Sequence, residues 1–307
     1  MIHRGRFAPS PTGKLHLGNV RSALLGWLWA RASGGEFLLR IEDLDRERCK
    51  PAFTDALLFD LEWLGLGWDG AVWKQSERQA IYDEHLARLE AKGLTYRCWC
   101  TRGEIARAAS APHVGEEGPI YPGTCRDDAH ASEKHPGRSP AWRFRVAAGE
   151  VCFDDAVHGA QAQDVEHAVG DFVIRRNDGV ASYQLAVVVD DALSGVTHVL
   201  RGDDLLSSTA RQLLLQRALG FASPAWAHVP LLVQRDGKRL AKREGASTVA
   251  GLRERGWSPE RVIGLLASWS GLGDGAPVKA QELVSGFSLD RVPKTPFVVP
   301  DDFVGGM

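Results

Sequence analysis

Apolar and polar positions change period along the chain, and the changes predict strands and helices in alternation. Arg4 to Ala8 reads as a short strand, followed by a Pro- and Gly-bearing loop, Pro9-Ser10-Pro11-Thr12-Gly13. Leu17, Val20, Leu24, Trp27 and Leu28 then recur at helical spacing as far as Ala32, and Gly34-Gly35 ends the run. Phe37-Leu38-Leu39-Arg40-Ile41 is an apolar run of strand length. A strand, a helix and a second strand in this order predict a parallel pair with a right-handed crossover. Pro51 to Leu64 and Ser76 to Lys92 read as two helices. From Cys98 to about Gly170 the periodicity is poor, Gly, Pro and His are frequent, and Ala141 to Val146 is the best strand candidate. Leu185-Ala186-Val187-Val188-Val189 is a continuous apolar run of the kind a buried parallel strand shows, and Val196 to Leu200 and Val229 to Val233 are further strands. Ser208 to Leu219 reads as an amphipathic helix; beyond about Ser247 the pattern is helical, then loop-like from Gly273.

The expectation is therefore an α/β fold with a Rossmann-type parallel sheet. Residues 1–245 would form a nucleotide-binding unit interrupted by an inserted subdomain at 96–170, and residues 246–307 a small helical C-terminal part. In such sheets ligands sit beyond the carboxyl ends of the strands, so polar residues that follow strands carry most weight.

Composition narrows the picture. Apolar residues make up 44% and charged residues 25%, an ordinary globular mix that excludes a disordered, collagen-like or disulfide-scaffold chain. Lys and Arg number 37 against 39 Asp and Glu, a net charge of −2, so any RNA contact must come from local basic patches. No apolar run approaches the roughly 18 residues of a membrane span. Met1-Ile2-His3-Arg4-Gly5-Arg6 lacks the apolar stretch of a signal peptide, so the expected compartment is the cytosol. The five cysteines are an odd number with three clustered, which in a reducing compartment suggests metal before disulfide.

Five clusters carry candidate chemistry. After the first strand, His16-Leu17-Gly18-Asn19 opens a helix, whose N-terminal N–H groups and partial positive charge suit a phosphate. Gly18 allows close approach to the backbone, and His16 can donate to charge developing at an α-phosphate; the bland alternative is a helix start with an incidental histidine. After the second strand, Arg40-Ile41-Glu42-Asp43-Leu44-Asp45 places Arg40 and Glu42 on one face, and Glu42 could hold an ammonium group unless it is a solvated acidic strand exit. Cys98-x-Cys100 with Cys125 offers three thiolates for a tetrahedral site, the fourth ligand being Tyr121, His113, His130, His135 or water. Cys49 and Cys152 stand apart and read as core residues. The fourth cluster holds Tyr183, Asp190-Asp191 and Arg201-Gly202-Asp203-Asp204; Arg201 could grip a carboxylate with two prongs or pair with an adjacent acid. The fifth, Arg235 to Arg243, puts five basic residues near Gly237 and Gly245, which suits a triphosphate or an RNA backbone, or is a solvated loop.

Taken together, these blocks resemble the class I aminoacyl-tRNA synthetases of the glutamate-specific branch. Gly5-Arg6-Phe7-Ala8-Pro9-Ser10-Pro11-Thr12-Gly13 with His16-Leu17-Gly18-Asn19 resembles that branch's "HIGH" region, Leu39-Arg40-Ile41-Glu42-Asp43 its following strand, and Arg239-Leu240-Ala241-Lys242-Arg243 its "KMSKS" loop. The segments beginning at Tyr183 and Val196 are also similar. Three positions depart from the pattern: Asn19 replaces the final His, Arg239 opens the second signature, and Ala241 stands where Ser is usual. Only about 60 residues follow the last motif, fewer than a helical anticodon-reading domain needs, so the nearer resemblance is to the truncated, queuosine-directed members of the branch.

The resemblance implies ATP-dependent activation of L-glutamate and its transfer to the queuosine base at the wobble position of tRNA(Asp). It implies His16 and Lys242 as the catalytic pair at the phosphates, with Gly18 and Asn19 also on ATP and Mg²⁺ on the triphosphate. Glutamate would be held by Arg6, Phe7, Ala8, Pro9, Ser10, Glu42, Tyr183 and Arg201. Cys98, Cys100, Tyr121 and Cys125 fall where that group has the ligands of one structural Zn²⁺, in a subdomain expected to hold the anticodon stem-loop. A monomer is expected. The competing expectations are a truncated enzyme charging the 3′ end of tRNA(Glu), and an inactive paralogue that only docks RNA.

Overall fold

The computed structural model describes residues 2–108, 120–238 and 247–300. Strand β1 (Arg4–Phe7), helix α1 (Leu17–Ala32) and strand β2 (Glu36–Ile41) form the expected unit, with β1 and β2 parallel and Phe7 opposite Leu39. Helix α1 buries ten of its residues, Leu17, Leu24 and Leu28 among them, and each fully buried leucine contributes about 1.5–3 kcal/mol. The turn into β2 needs glycine: a Cβ on Gly35 would lie 2.1 Å from the His3 carbonyl oxygen. Helix α2 (Pro51–Trp63) leads to β3 (Trp73–Lys74), which adds in parallel to β2.

The chain then runs through α3 (Gln79–Ala91), β4 (Thr95–Cys98), α4 (Arg102–Ala108), β5 (Ala141–Phe144), β6 (Glu150–Asp155), β7 (Gly159–Asp164), α5 (Val165–Ala168) and β8 (Phe172–Arg175). Strands β4, β5 and β8 form an antiparallel sheet. The β6–β7 hairpin, although inside the span expected as an insertion, is sewn into the main fold by the partner β6 finds later in the chain.

Regular α/β structure resumes with α6 (Tyr183–Leu193), β9 (His198–Gly202), α7 (Leu206–Leu219) and β10 (Ala225–Val229). Strand β10 lies between β9 and β6, parallel to both, with Asp155 opposite Trp226. Strand β9 runs beside β1, tied by Thr197 N–H to the Arg4 carbonyl at 2.9 Å. From this seam one unit extends through β2 to β3 and the other through β10 to β6. That divergence is a topological switch point, where open parallel sheets form their crevice. The chain closes with β11 (Leu232–Val233), α8 (Val249–Glu254), α9 (Pro259–Ser268), two 3₁₀ turns and β12 (Phe297–Val298), which pairs with β11.

One apolar core lies around α1, β2, α8 and α9, and a second around α3, α6 and α7. Among the described residues no helix is long and apolar enough to cross a membrane.

Several expectations need correction. Leu185 to Val189 is the middle of α6, not a strand; Gln184 to Asp191 are all buried, so the helix is enclosed on every side and shows no polar face from which a 3.6-residue period could be read. Val229 to Val233 is interrupted at Pro230, which separates β10 from β11. Ser76 begins in a 3₁₀ turn, and α3 starts only at Gln79. Cys152 is exposed and Cys49 half-buried, so neither is a core thiol.

Candidate functional site

A cleft of about 670 Å³ opens at the carboxyl ends of β1, β2 and β9. Its lining gathers Arg6, Phe7, Ala8, Pro9 and Ser10 from β1 and its exit, and His16, Gly18 and Asn19 from the start of α1. Glu42 enters from the end of β2, Tyr183 from the first turn of α6, and Arg201 from β9. Lys242 lies outside the described residues. Before that segment Leu232 lines the cleft, and after it Leu17 N–H donates to the Ser247 carbonyl and Val249 N–H to the Leu15 carbonyl, both at 3.0 Å.

His16 occupies the position before α1, in an extended conformation, and its side chain makes no capping bond to the helix. Its imidazole rests over Gly18, where an added Cβ would come within 3.1 Å of the ring. Glycine at 18 thus lets the imidazole lie across the first turn of α1. The N-terminus of the helix supplies the partial positive charge that anions seek.

Behind the glutamate-side residues lies a buried charge network. Arg40 Nη1 donates to Asp191 at 2.6 Å and Arg40 Nη2 to Glu42 at 3.1 Å, so Arg40 and Glu42 do share a strand face. Asp191 also faces Arg6 Nε at 3.4 Å. Asp190 accepts from Tyr82 Oη and Arg78 Nε, each at 2.7 Å. Both aspartates sit on the last turns of α6, so the helix unforeseen from the sequence is what delivers them. Burial pushes the Asp191 carboxyl up, but Arg40 and Arg6 outweigh it and hold the group below the usual carboxylate range. Glu42 goes the other way: burial raises it, and Arg40 and Arg6 only partly offset that.

Arg201 differs from these arginines because every one of its partners is neutral. Nε donates to His228 Nε2 at 2.9 Å, Nη1 to Gln212 at 2.9 Å and to Tyr183 Oη at 3.4 Å, and Nη2 to Thr209 at 2.9 Å and the Leu205 carbonyl at 3.2 Å. The expected alternative, an ion pair with Asp203 or Asp204, is not formed. Burial, together with repulsion from Arg6, lowers the Arg201 pKa from its usual value, yet arginine stays charged in proteins. The result is a fixed, buried cation that, among the described residues, is hydrogen-bonded to no carboxylate. The longest of its bonds goes to Tyr183, which also lines the cleft. A carboxylate arriving there would gain charge-assisted hydrogen bonds in a water-poor setting.

A second constellation lies in the antiparallel sheet. The Cys98, Cys100 and Cys125 sulfurs all lie within 4.8 Å of one another, with Cys100 and Cys125 3.5 Å apart. Tyr121 Oη is 3.4 Å from Cys98 Sγ and 3.9 Å from Cys100 Sγ. A tetrahedral ion at thiolate distances of about 2.3 Å separates its donors by roughly 3.8 Å, so the four groups fit one ion. Of the other candidates for the fourth position, His130 is exposed and bound to Glu133, His135 contacts Arg138, and His113 lies outside the described residues.

Sequence reasoning missed the supports of Arg201, namely Gln212, Thr209, His228 and Asp155, because they lie on other elements and belong to no local motif. A histidine inside the apolar strand Trp226-Ala227-His228-Val229 was the one signal available.

A parallel sheet with a switch-point cleft, joining a helix N-terminus to a carboxylate-ready pocket, defines a nucleotide-binding α/β enzyme. The family model for class I tRNA synthetases (E and Q), catalytic domain, matches residues 3–299, and the chain belongs to that family. The glutamyl-Q tRNA(Asp) synthetase of Symbiobacterium thermophilum is 51% identical over 316 residues, spanning 99% of this chain and 98% of that one. That of Nocardia farcinica is 50% identical over 303 residues, spanning 97% and 93%. A glutamate tRNA ligase from Elizabethkingia meningosepticum, solved in complex with its amino acid, superposes with a TM-score of 0.81 at 30% identity, covering 99% of this chain and 68% of that one.

Proposed function

We propose that the protein activates L-glutamate with ATP and transfers it to the queuosine base of tRNA(Asp). The observation that carries the chemistry is the meeting, in one cleft, of Glu42, Arg6 and Arg201 with His16 and the start of α1. Near-full-length identity to queuosine-directed relatives supports the acceptor.

In the first step a glutamate α-carboxylate oxygen attacks the ATP α-phosphorus and pyrophosphate leaves. No protein nucleophile is needed; alignment and charge stabilisation carry the step. His16 donates to the α-phosphate, Gly18 and Asn19 present the helix backbone, and Lys242 meets the phosphates. Mg²⁺ on the triphosphate neutralises its charge. Glu42 takes the ammonium, Arg6 and Arg201 take the two carboxylates, and Tyr183 with the Arg6–Ser10 segment walls the pocket. Among the described residues Arg201 is hydrogen-bonded to neutral groups alone, so an arriving carboxylate gains a charge-assisted partner there. L-glutamate brings one net negative charge and glutamine brings none, which favours the acid over the amide. In the second step a queuosine hydroxyl attacks the mixed anhydride, forming the ester and releasing AMP.

Cys98, Cys100 and Cys125, with Tyr121 Oη beside them, would hold a structural Zn²⁺, which would tie the strand end of β4 to the loop after it. We assign residues 1–245 to the catalytic unit, with 96–170 as an insertion whose β6–β7 hairpin is shared with the main sheet and whose remainder faces the RNA, and 246–307 to a helical C-terminal part, in a cytosolic monomer.

The test is labelled glutamate with ATP and purified tRNA(Asp), with and without queuosine, beside tRNA(Glu). Alkali-labile label on the anticodon loop of queuosine-bearing tRNA(Asp) alone is expected. Label at the 3′ end of tRNA(Glu), or no glutamate-dependent ATP–pyrophosphate exchange, overturns the proposal.

A further inference from the structure

Arg201 can read a carboxylate only if its own plane is fixed, and one side of that plane rests on a histidine. His228 is fully buried in β10, and its Nδ1 lies 2.6 Å from Asp155 Oδ2. Asp155 ends β6 and is itself saturated: its Oδ1 accepts the backbone N–H groups of Val157 and His158 at 3.0 and 2.9 Å, and Oδ2 the His228 backbone N–H at 3.1 Å. An ionised carboxylate only accepts, so Nδ1 carries the proton and donates. In a neutral imidazole the other nitrogen is then a bare acceptor, and Nε2 is the atom that receives Arg201 Nε–H at 2.9 Å. The chain has one consistent direction, from Arg201 to His228 to Asp155. Reversing the tautomer would set two N–H groups against each other inside a dry core.

We propose that Asp155 and His228 are positioning residues for glutamate recognition: Asp155 selects the His228 tautomer that accepts from Arg201 Nε, and this aims the remaining guanidinium edge at the substrate carboxylate. The inference rests on the reading of Arg201 as a carboxylate ligand. It makes the β6–β7 hairpin, which lines no part of the cleft, a determinant of amino-acid affinity.

The discriminating variant is Asp155→Asn. An asparagine that keeps its carbonyl oxygen on the Val157 and His158 N–H groups, and on the His228 backbone N–H that lies 3.3 Å from Asp155 Oδ1, turns its NH₂ toward His228 Nδ1, which must then accept, moving the imidazole proton to Nε2. The logic is that of a triad aspartate changed to its amide, where geometry survives and the tautomer is wrong. Expected is a rise of about 10–100-fold in the glutamate KM of ATP–pyrophosphate exchange, the range that outer partners of an oriented ligand command, with the ATP KM nearly unchanged and the melting transition still cooperative. His228→Leu should raise the glutamate KM similarly, and His228→Gln, whose carbonyl oxygen can take the place of Nε2, should recover most of that loss. Nitrogen-15 NMR of histidine-labelled protein should show Nδ1–H at His228 in the wild type and Nε2–H in Asp155→Asn. The proposal is overturned if the tautomer is unchanged in Asp155→Asn, if glutamate and ATP KM rise together, or if His228→Gln is as impaired as His228→Leu. The NMR result is independent of substrate, so a wild type that does not respond to glutamate would sink the functional reading while leaving the tautomer relay separately decided.

Discussion

At the scale of single residues, Glu42 and Arg201 hold opposite kinds of unmet demand. Glu42 is a buried carboxyl whose pKa is raised, so in the free protein its ionised form is penalised and stability falls as the pH climbs from the unfolded value through the raised one. An ammonium group needs that ionised form. Glutamate affinity should therefore weaken on acidification, beginning above the ordinary carboxylate range. In Glu42→Gln affinity should be lower at neutral pH and this acid limb should vanish; a retained limb in pH-dependent binding would assign it elsewhere. Arg201→Ala should cost roughly 2–5 kcal/mol of glutamate recognition, as truncating one member of a desolvated charge pair does. Unchanged glutamate-dependent exchange in that variant would remove Arg201 from the pocket. Most of these residues were legible in the chain, since strand exits and helix starts advertise themselves through Pro, Gly and charge. The partners that hold Arg201 were not, because Asp155, Gln212 and His228 converge only once β6, α7 and β10 have packed.

Among the elements, α6 shows how legibility fails. A run of Leu, Ala and Val with no polar interruption fits a buried strand and an enclosed helix equally well, and only tertiary surroundings decide between them. The misreading mattered, because the helix carries Asp190 and Asp191 into the space behind β1 and β2. Asp191→Ala should destabilise the fold by about 3–5 kcal/mol, the cost of leaving Arg40 and Arg6 without their shared carboxylate, measured by denaturant unfolding. The depressed pKa of Asp191 gives the sign for acid: its contribution is present above the unfolded carboxylate value and is lost as the pH falls through the folded one. A variant as stable as the wild type would show that the network is idle. By contrast α1 and β2 were read almost to the residue, because Leu17, Val20, Leu24, Trp27 and Leu28 recur at helical spacing and Gly34-Gly35 marks the end of the run.

Across the whole molecule, three apolar clusters are distinct, and the smallest surrounds the cysteines. That small core holds Tyr96, Cys98, Ile105, Tyr121, Cys125 and Ala131, little apolar mass to hold β4 and the following loop together. If the cysteines hold the proposed Zn²⁺, a chelator should loosen this region, seen as faster amide exchange or proteolysis between β4 and β5, while glutamyl-adenylate formation survives. Abolished adenylate formation in a protein whose exchange pattern is unchanged would refute a structural role for the ion. The parallel pairing of β1 with β2 could be anticipated from the chain, but the sharing of β6 with the main sheet could not, since hairpin and host strand are separated by more than sixty residues.

The backbone pairing of Leu15–Leu17 with Ser247–Val249 has a mechanical consequence. The start of α1 and the start of α8 are tied backbone to backbone, although the chain visits them more than two hundred residues apart. A load placed on either is passed to the other, so the two helix starts shift as a pair.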